Sequence, residues 1–269
     1  MYRKMNRLIV TVIMAIALFA GCGQGDGEKD FVLKQGQSDL EYVKEKGTLV
    51  VGITDFAPMD YKSGEQWTGF DYELAGKFAE SLGVTMELEE IDWDKKTELL
   101  EKGSIDCIWN GMTMTEELQE TISCSDPYLS NAQVVVMKST ELEKYQSMED
   151  AQHLLFAAES GSTGETILKE KKYRYSVYGT QKETLESVSS KKTDAAVIDV
   201  IMAGYYTGKN REFEDLGFEV SLNDEKICVG FRKDSDLTEE ANKFLREAYE
   251  NGMMNSLAQK YGIEHAILE

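Results

Sequence analysis

The sequence predicts an α/β fold in which parallel sheets are covered by helices on both faces. Two observations carry that expectation. From Gly47 onward, short apolar runs rich in valine and isoleucine alternate with amphipathic stretches, the pattern of strand–helix–strand units. The alternation also runs through the chain twice, and 269 residues suit one large domain or two smaller ones that each bury a core. No internal repeat of solenoid period competes with this reading.

Residues 48–53 form a short valine- and isoleucine-rich run expected to be a buried strand. Residues 71–82 follow as an amphipathic helix, with Leu74, Phe78 and Leu82 on one face and Gly83 as its stop. A strand over 84–91, a helix over 95–102, and strands over 105–109 and 134–137 complete the first series. The second series places strands at 154–158, 173–178 and 195–198, each followed by a helix, at 164–171, 181–190 and 200–206 with order β–α–β–α–β–α. A late strand at 227–231 precedes helices at 238–251 and 253–261.

The formal net charge is −20, from 29 basic and 49 acidic residues. Phosphate backbones would be repelled, so no nucleic-acid partner is expected; solubility accounts for most of the acidity, and its field favours cationic or amine ligands. The four cysteines, Cys22, Cys107, Cys124 and Cys228, match no zinc spacing, and only His153 and His265 could assist them. No metal and no cofactor is expected. With Cys22 set aside, three cysteines leave at least one sulfur unpaired within the chain, and a Cys107–Cys124 bridge stays open.

Arg3, Lys4 and Arg7 precede a nearly uninterrupted apolar run over 8–20. A bilayer-spanning helix needs about 20 apolar residues, so this run fits the core of a signal peptide instead. It ends Phe19-Ala20-Gly21-Cys22, which resembles the bacterial lipoprotein signal, with Phe19 standing where leucine is more usual. That resemblance implies cleavage before Cys22, lipidation of Cys22, and localisation on the extracellular face of the bacterial cell membrane. The glycine-rich polar stretch that follows suits a flexible tether over 22–39.

Several strings then occur in a fixed order: Lys46-Gly47-Thr48-Leu49-Val50-Val51-Gly52, Gly69-Phe70-Asp71-Tyr72-Glu73-Leu74-Ala75, Gly103-Ser104-Ile105-Asp106, Gly111-Met112-Thr113-Met114-Thr115-Glu116, Ser125-Asp126-Pro127-Tyr128, Ser160-Gly161-Ser162-Thr163-Gly164, and Asp194-Ala195-Ala196-Val197-Ile198-Asp199. Each is weak alone. Their succession resembles the extracellular solute-binding proteins of family 3, the amino-acid type served by ABC transporters. The resemblance implies a type II periplasmic-binding-protein fold: two lobes, each a mainly parallel sheet with flanking helices, joined by two crossover strands. The expected divisions are a signal over 1–21, the tether over 22–39, a first lobe over 40–133 and 230–269, and a second lobe over 134–229. The crossovers are expected at 132–138 and 226–232.

The same resemblance carries ligand positions onto this chain. Phe56 and Trp93 match the aromatic positions that pack on the ligand, although either could be a core aromatic. Gly111, Thr113, Ser162 and Thr163 match loop residues that receive its polar end; the hydroxyls would equally serve as helix caps. Asn110 and Glu159 flank these loops. Asp199 matches the acid that binds the ligand ammonium, and it too could be an N-cap. One position departs from the pattern. Where the family places a carboxylate-binding arginine, this chain has Leu118, and residues 116–121 contain no base. Backbone amides or a distant base must then hold a ligand carboxylate, or the ligand lacks one.

The expected function is therefore capture of a small, polar, amine-bearing solute for an ABC permease in the membrane, with no catalysis. A ligand-sensing lipoprotein that signals through a membrane partner is the alternative. A dehydratase on the same fold, with Glu159 or Asp199 as acid or base, ranks below both. A peptidoglycan-cleaving relative would need a further catalytic domain, and seven residues follow Gly262.

Overall fold

The computed structural model describes residues 32–268. The predicted signal, Cys22 and most of the tether lie outside them; within the tether, residues 32–38 lie beside helix α1 (Asp39–Lys46), where Lys34 pairs with Glu45 at 2.6 Å. Ser38 and Glu41 close a capping box on α1, which satisfies two otherwise unpaired amides of its first turn.

The first lobe builds on β1 (Thr48–Ile53), with a β2–β3 hairpin (Tyr61–Ser63, Gln66–Thr68) leading into α2 (Phe70–Leu82). Leu74, Phe78 and Leu82 are all buried, and Gly83 ends α2 at φ 77°, as the spacing predicts. Then come β4 (Thr85–Glu90), a 3₁₀ turn at Trp93–Lys95, α3 (Lys96–Glu101), β5 (Cys107–Thr113), α4 (Glu116–Thr121), β6 (Ser123–Cys124) and β7 (Leu129–Asn131). β5 runs four residues beyond the expected strand end at Trp109, through Gly111, whose φ of 57° a side chain would resist.

The second lobe holds β8 (Gln133–Lys138), β9 (Leu155–Glu159), α5 (Thr163–Glu170), β10 (Arg174–Tyr178), α6 (Gln181–Ser189), β11 (Ala195–Asp199), α7 (Val200–Tyr206) and β12 (Leu216–Ser221). The chain then returns to the first lobe with β13 (Glu225–Phe231), α8 (Leu237–Glu250) and α9 (Met253–Tyr261). The sheet orders are β4-β1-β5-β13-β6, with β7 also on β13, and β10-β9-β11-β8-β12.

Each sheet is mixed. β4, β1 and β5 are parallel, as are β10, β9 and β11, but the strands that enter and leave a lobe must run against them. β13 is antiparallel to β5, and β8 is antiparallel to both β11 and β12. The first crossing falls between Asn131 and Gln133, at the start of the expected 132–138, and β8 itself pairs wholly within the second sheet. The second falls at 222–224, ahead of the expected 226–232, and the second lobe closes there instead of at 229. All of β13 hydrogen-bonds within the first sheet, because pairing to β5 and β7 satisfies its backbone from Glu225 onward.

Strand alternation sorts the packing. Val134 and Val136 face the cluster that holds Leu185, Val188 and Met202, whereas Val135 and Met137 face the cluster that holds Leu168 and Phe156. On β5, Cys107 and Trp109 join the side of Phe78 and Phe244, and Ile108 and Met112 join the side of Leu100 and Cys228. Cys124 packs on this second side. Cys107 and Cys124 therefore sit on opposite faces of one sheet, which rules out their bridge; all three described cysteines are free thiols. Cys124 instead meets Cys228, whose hydrogen bond lowers the Cys124 pKa.

Candidate ligand cleft

The carboxyl ends of the parallel strands in both lobes open onto one cavity of about 510 Å³. Phe56, Trp93, Asn110, Gly111, Thr113, Glu159, Ser162, Thr163 and Asp199 all line it. The lobes touch across it: a Cβ on Gly161, in the loop before α5, would lie 2.7 Å from Cα of Asp94. Gly161 has φ 70°, which suits glycine in a loop pressed so closely on the facing lobe.

On the first-lobe wall, Phe56 packs on the bare backbone of Gly111, where an added Cβ would come within 2.2 Å of the ring. The Gly111 amide donates to Asp71 Oδ2 at 2.7 Å, and the Tyr128 hydroxyl donates to Oδ1 at 2.8 Å. Burial still raises the Asp71 carboxyl to about 7. Asn110 uses its whole amide within the protein. Oδ1 accepts from the Thr54 amide and hydroxyl at 3.1 and 2.7 Å, while Nδ2 donates to Asp60 Oδ2 and Thr54 O at 2.7 and 3.2 Å. It fixes the loop after β1 and has no polar capacity left over.

The cap readings separate cleanly. Ser162 does cap α5, accepting from the Glu165 amide at 3.1 Å. Thr163 is the first residue of α5 and caps nothing. The Thr113 hydroxyl donates to Glu225 Oε2 at 2.9 Å, and Thr115 is the residue that caps α4. Asp199 stands at the N-cap position of α7 but makes no capping bond. Its carboxylate accepts from the amides of Asn131, Gln133 (3.1 Å) and Gln181.

Four residues that sequence reasoning passed over complete this end of the cleft. Asn131 and Gln133 donate to Glu225 as well, at 2.8 and 3.1 Å, and so tie both lobe crossings to Asp199. Gln181 receives the Asp199 amide at 3.0 Å. Burial, then repulsion from Glu225, lifts Asp199 to about 7, against the pull of these amide donors. Burial, then repulsion from Asp199, lifts Glu159 to about 8. A fifth unforeseen residue is Lys96, buried at the start of α3, with Nζ 4.6 Å from the centre of the Trp93 ring. Leu118 lines the wall too, half-buried, on a helix without bases.

The model of the bacterial extracellular solute-binding proteins, family 3, matches residues 49–264. The chain belongs to that family. Its relatives include the arginine-binding extracellular protein ArtP of Bacillus subtilis, 29% identical over 96% of this chain and 98% of the relative. The L-cystine-binding protein TcyJ of Escherichia coli is 26% identical over 96% of each. Among solved structures, a substrate-binding protein of an ABC uptake transporter from Streptococcus pneumoniae, with bound histidine, superposes with a TM-score of 0.80 at 27% identity. It covers 88% of this chain and 100% of that one. A mutant of ArgBP from T. maritima gives 0.78 at 28% identity, covering 83% and 98%. This family 3 chain is a solute-binding protein, and several of its relatives are named as amino-acid-binding proteins. Among the described residues, no helix is long and apolar enough to cross a membrane, and no cluster of side chains is suited to hold a metal.

Proposed function

We propose that this protein is the substrate-binding component of an ABC importer, capturing an amine-bearing solute, an amino acid or related compound, between its lobes for delivery to a membrane permease. Lipidation at Cys22 would hold it at the extracellular face of the cell membrane. The observation that carries the reading is the pair of buried acids, Glu159 and Asp199, on the cavity wall. Burial raises both carboxyls, with repulsion from Asp199 added at Glu159 and repulsion from Glu225 added at Asp199. A ligand ammonium removes that repulsion and makes charge-assisted hydrogen bonds. Trp93 and Phe56 add aromatic surface for the aliphatic part of such a ligand and attract its cation.

A thermal-shift panel tests this. L-arginine, L-lysine, L-histidine or a polyamine should raise Tm, since a ligand at about 100 times its Kd adds about 2.7 kcal/mol to the folded state. L-glutamate and L-aspartate should leave Tm unchanged. A shift with the acidic amino acids alone would overturn the reading.

A further inference from the structure

The cavity wall at α4 is apolar at Leu118 and residues 116–121 hold no base, yet the wall still carries one basic side chain. Among the residues lining the cavity, Lys96 is the single lysine or arginine. It comes from the first turn of α3 and is 8% exposed. Its Nζ donates to Trp93 O at 3.1 Å and, across the cleft, to Gly161 O at 3.2 Å. Those two carbonyls engage two of three N–H donors and supply no formal charge. Glu159, Asp94 and Glu117 act on the ammonium only through the field, without an ion pair. A buried ammonium held by carbonyls, with carboxylates near it but none in an ion pair, keeps a desolvation cost that a ligand carboxylate in direct contact would offset. The segment facing Lys96 is the Gly161–Ser162–Thr163 turn at the start of α5, where the Thr163 hydroxyl has no capping role and the helix end favours an anion.

We propose that Lys96, from α3, is the carboxylate anchor of this cleft, and that the ligand is an α-amino acid with a cationic side chain. This rests on the amine-binding reading above and narrows it. The side-chain charges around the cavity agree: Lys96 answers one carboxylate, while Asp199 and Glu159 answer an α-ammonium and a side-chain cation. A polyamine would leave Lys96 unpaired and pressed against it.

Titration calorimetry with two probe pairs tests the assignment: L-arginine with agmatine, and L-lysine with cadaverine. The members of each pair differ only in the carboxylate. The wild-type protein should prefer the amino acid of the better pair by about 100-fold, the scale of a buried charge pair. Lys96→Met should weaken that amino acid by about 100-fold and leave its decarboxylated partner within about threefold, so the preference collapses. Lys96→Arg, which keeps the charge, should restore part of it, and thermal melts of both variants report whether they fold. Retention of the full preference in Lys96→Met, or equal wild-type affinity for agmatine and L-arginine, would overturn the role of Lys96 while leaving amine binding intact. Wild-type protein that binds none of the four probes would remove the amine reading itself, and this assignment with it.

Discussion

Burial raises the carboxyls of Asp199 and Glu159 toward neutrality, so the proposed amine binding should depend on pH. Glu159 faces Asp199, Lys96, Gln181 and Glu183, and Asp199 faces Glu225, Gln181, Asn131 and Gln133. Their folded-state values, about 8 and about 7, lie above those of free carboxyls. A ligand ammonium favours the ionised forms, so binding expels protons, and affinity should fall as pH drops below those values. Lys96 adds the opposite limb. Burial lowers it to about 8, and a ligand carboxylate favours its charged form, so affinity for an amino acid should also decline as pH rises above that. Calorimetry of one cationic amino acid between pH 5 and 10, in buffers of different ionisation enthalpy, should show proton release on the acid side and a maximum near 8. A flat profile would contradict the roles given to these acids. The nine candidate positions line one cavity; Gly111, Thr113, Ser162, Thr163 and Asp199 lie in the ordered strings, Asn110 and Glu159 adjoin them, and Phe56 and Trp93 stand in connections after strands of the first lobe. Asn131, Gln133, Gln181 and Glu225 carry no such string. Asn131 and Glu225 are 94 positions apart and acquire a joint role only when the two crossings come side by side.

Among the elements, those with a strong local period were legible and those without were not. α2, α8 and β9 announce themselves by apolar spacing. α4 buries none of its six residues, so its sequence, Glu-Glu-Leu-Gln-Glu-Thr, shows no apolar stripe. β6 and β7 are two and three residues long, and β12 lies at a sheet edge with a bulge, where one face needs no apolar residue. The contact that anchors α1 was equally hidden. Arg232, just after β13, shares its Nε–H between both carboxylate oxygens of Asp39 at 2.9 and 3.1 Å, reaches Asp106 at 3.2 Å through Nη2 and donates from Nη1 to Ile105 O at 2.8 Å. Asp106 also takes Lys46 at 2.6 Å. Removing one member strands buried charge. Arg232→Met should therefore cost about 3–5 kcal/mol in chemical denaturation. A loss below about 1 kcal/mol, the range of an exposed pair, would show that the network contributes little.

In the whole molecule, the two mixed sheets are joined by two adjacent crossings, and both are bonded to the acids at the inner end of the cavity. Gln133 links them further, its amide donating to Asn223 Oδ1 at 2.9 Å and its carbonyl accepting from Leu222 at 2.8 Å. The lobes meet at the outer end through Gly161, Asp94 and Lys96, so a ligand held between Asp199 and Lys96 would contact both lobes. In the proposed reading an amine bound at Asp199 bridges the lobes, and Asp199 is the residue on which that reading turns. The most direct test is calorimetric titration of L-arginine, L-lysine and L-glutamate into the wild-type protein and Asp199→Asn. The account predicts saturable binding of a cationic amino acid to the wild type, weakened about 100-fold in the variant, with no heat from L-glutamate. Tight binding of L-glutamate, or unchanged affinity in Asp199→Asn, would contradict it.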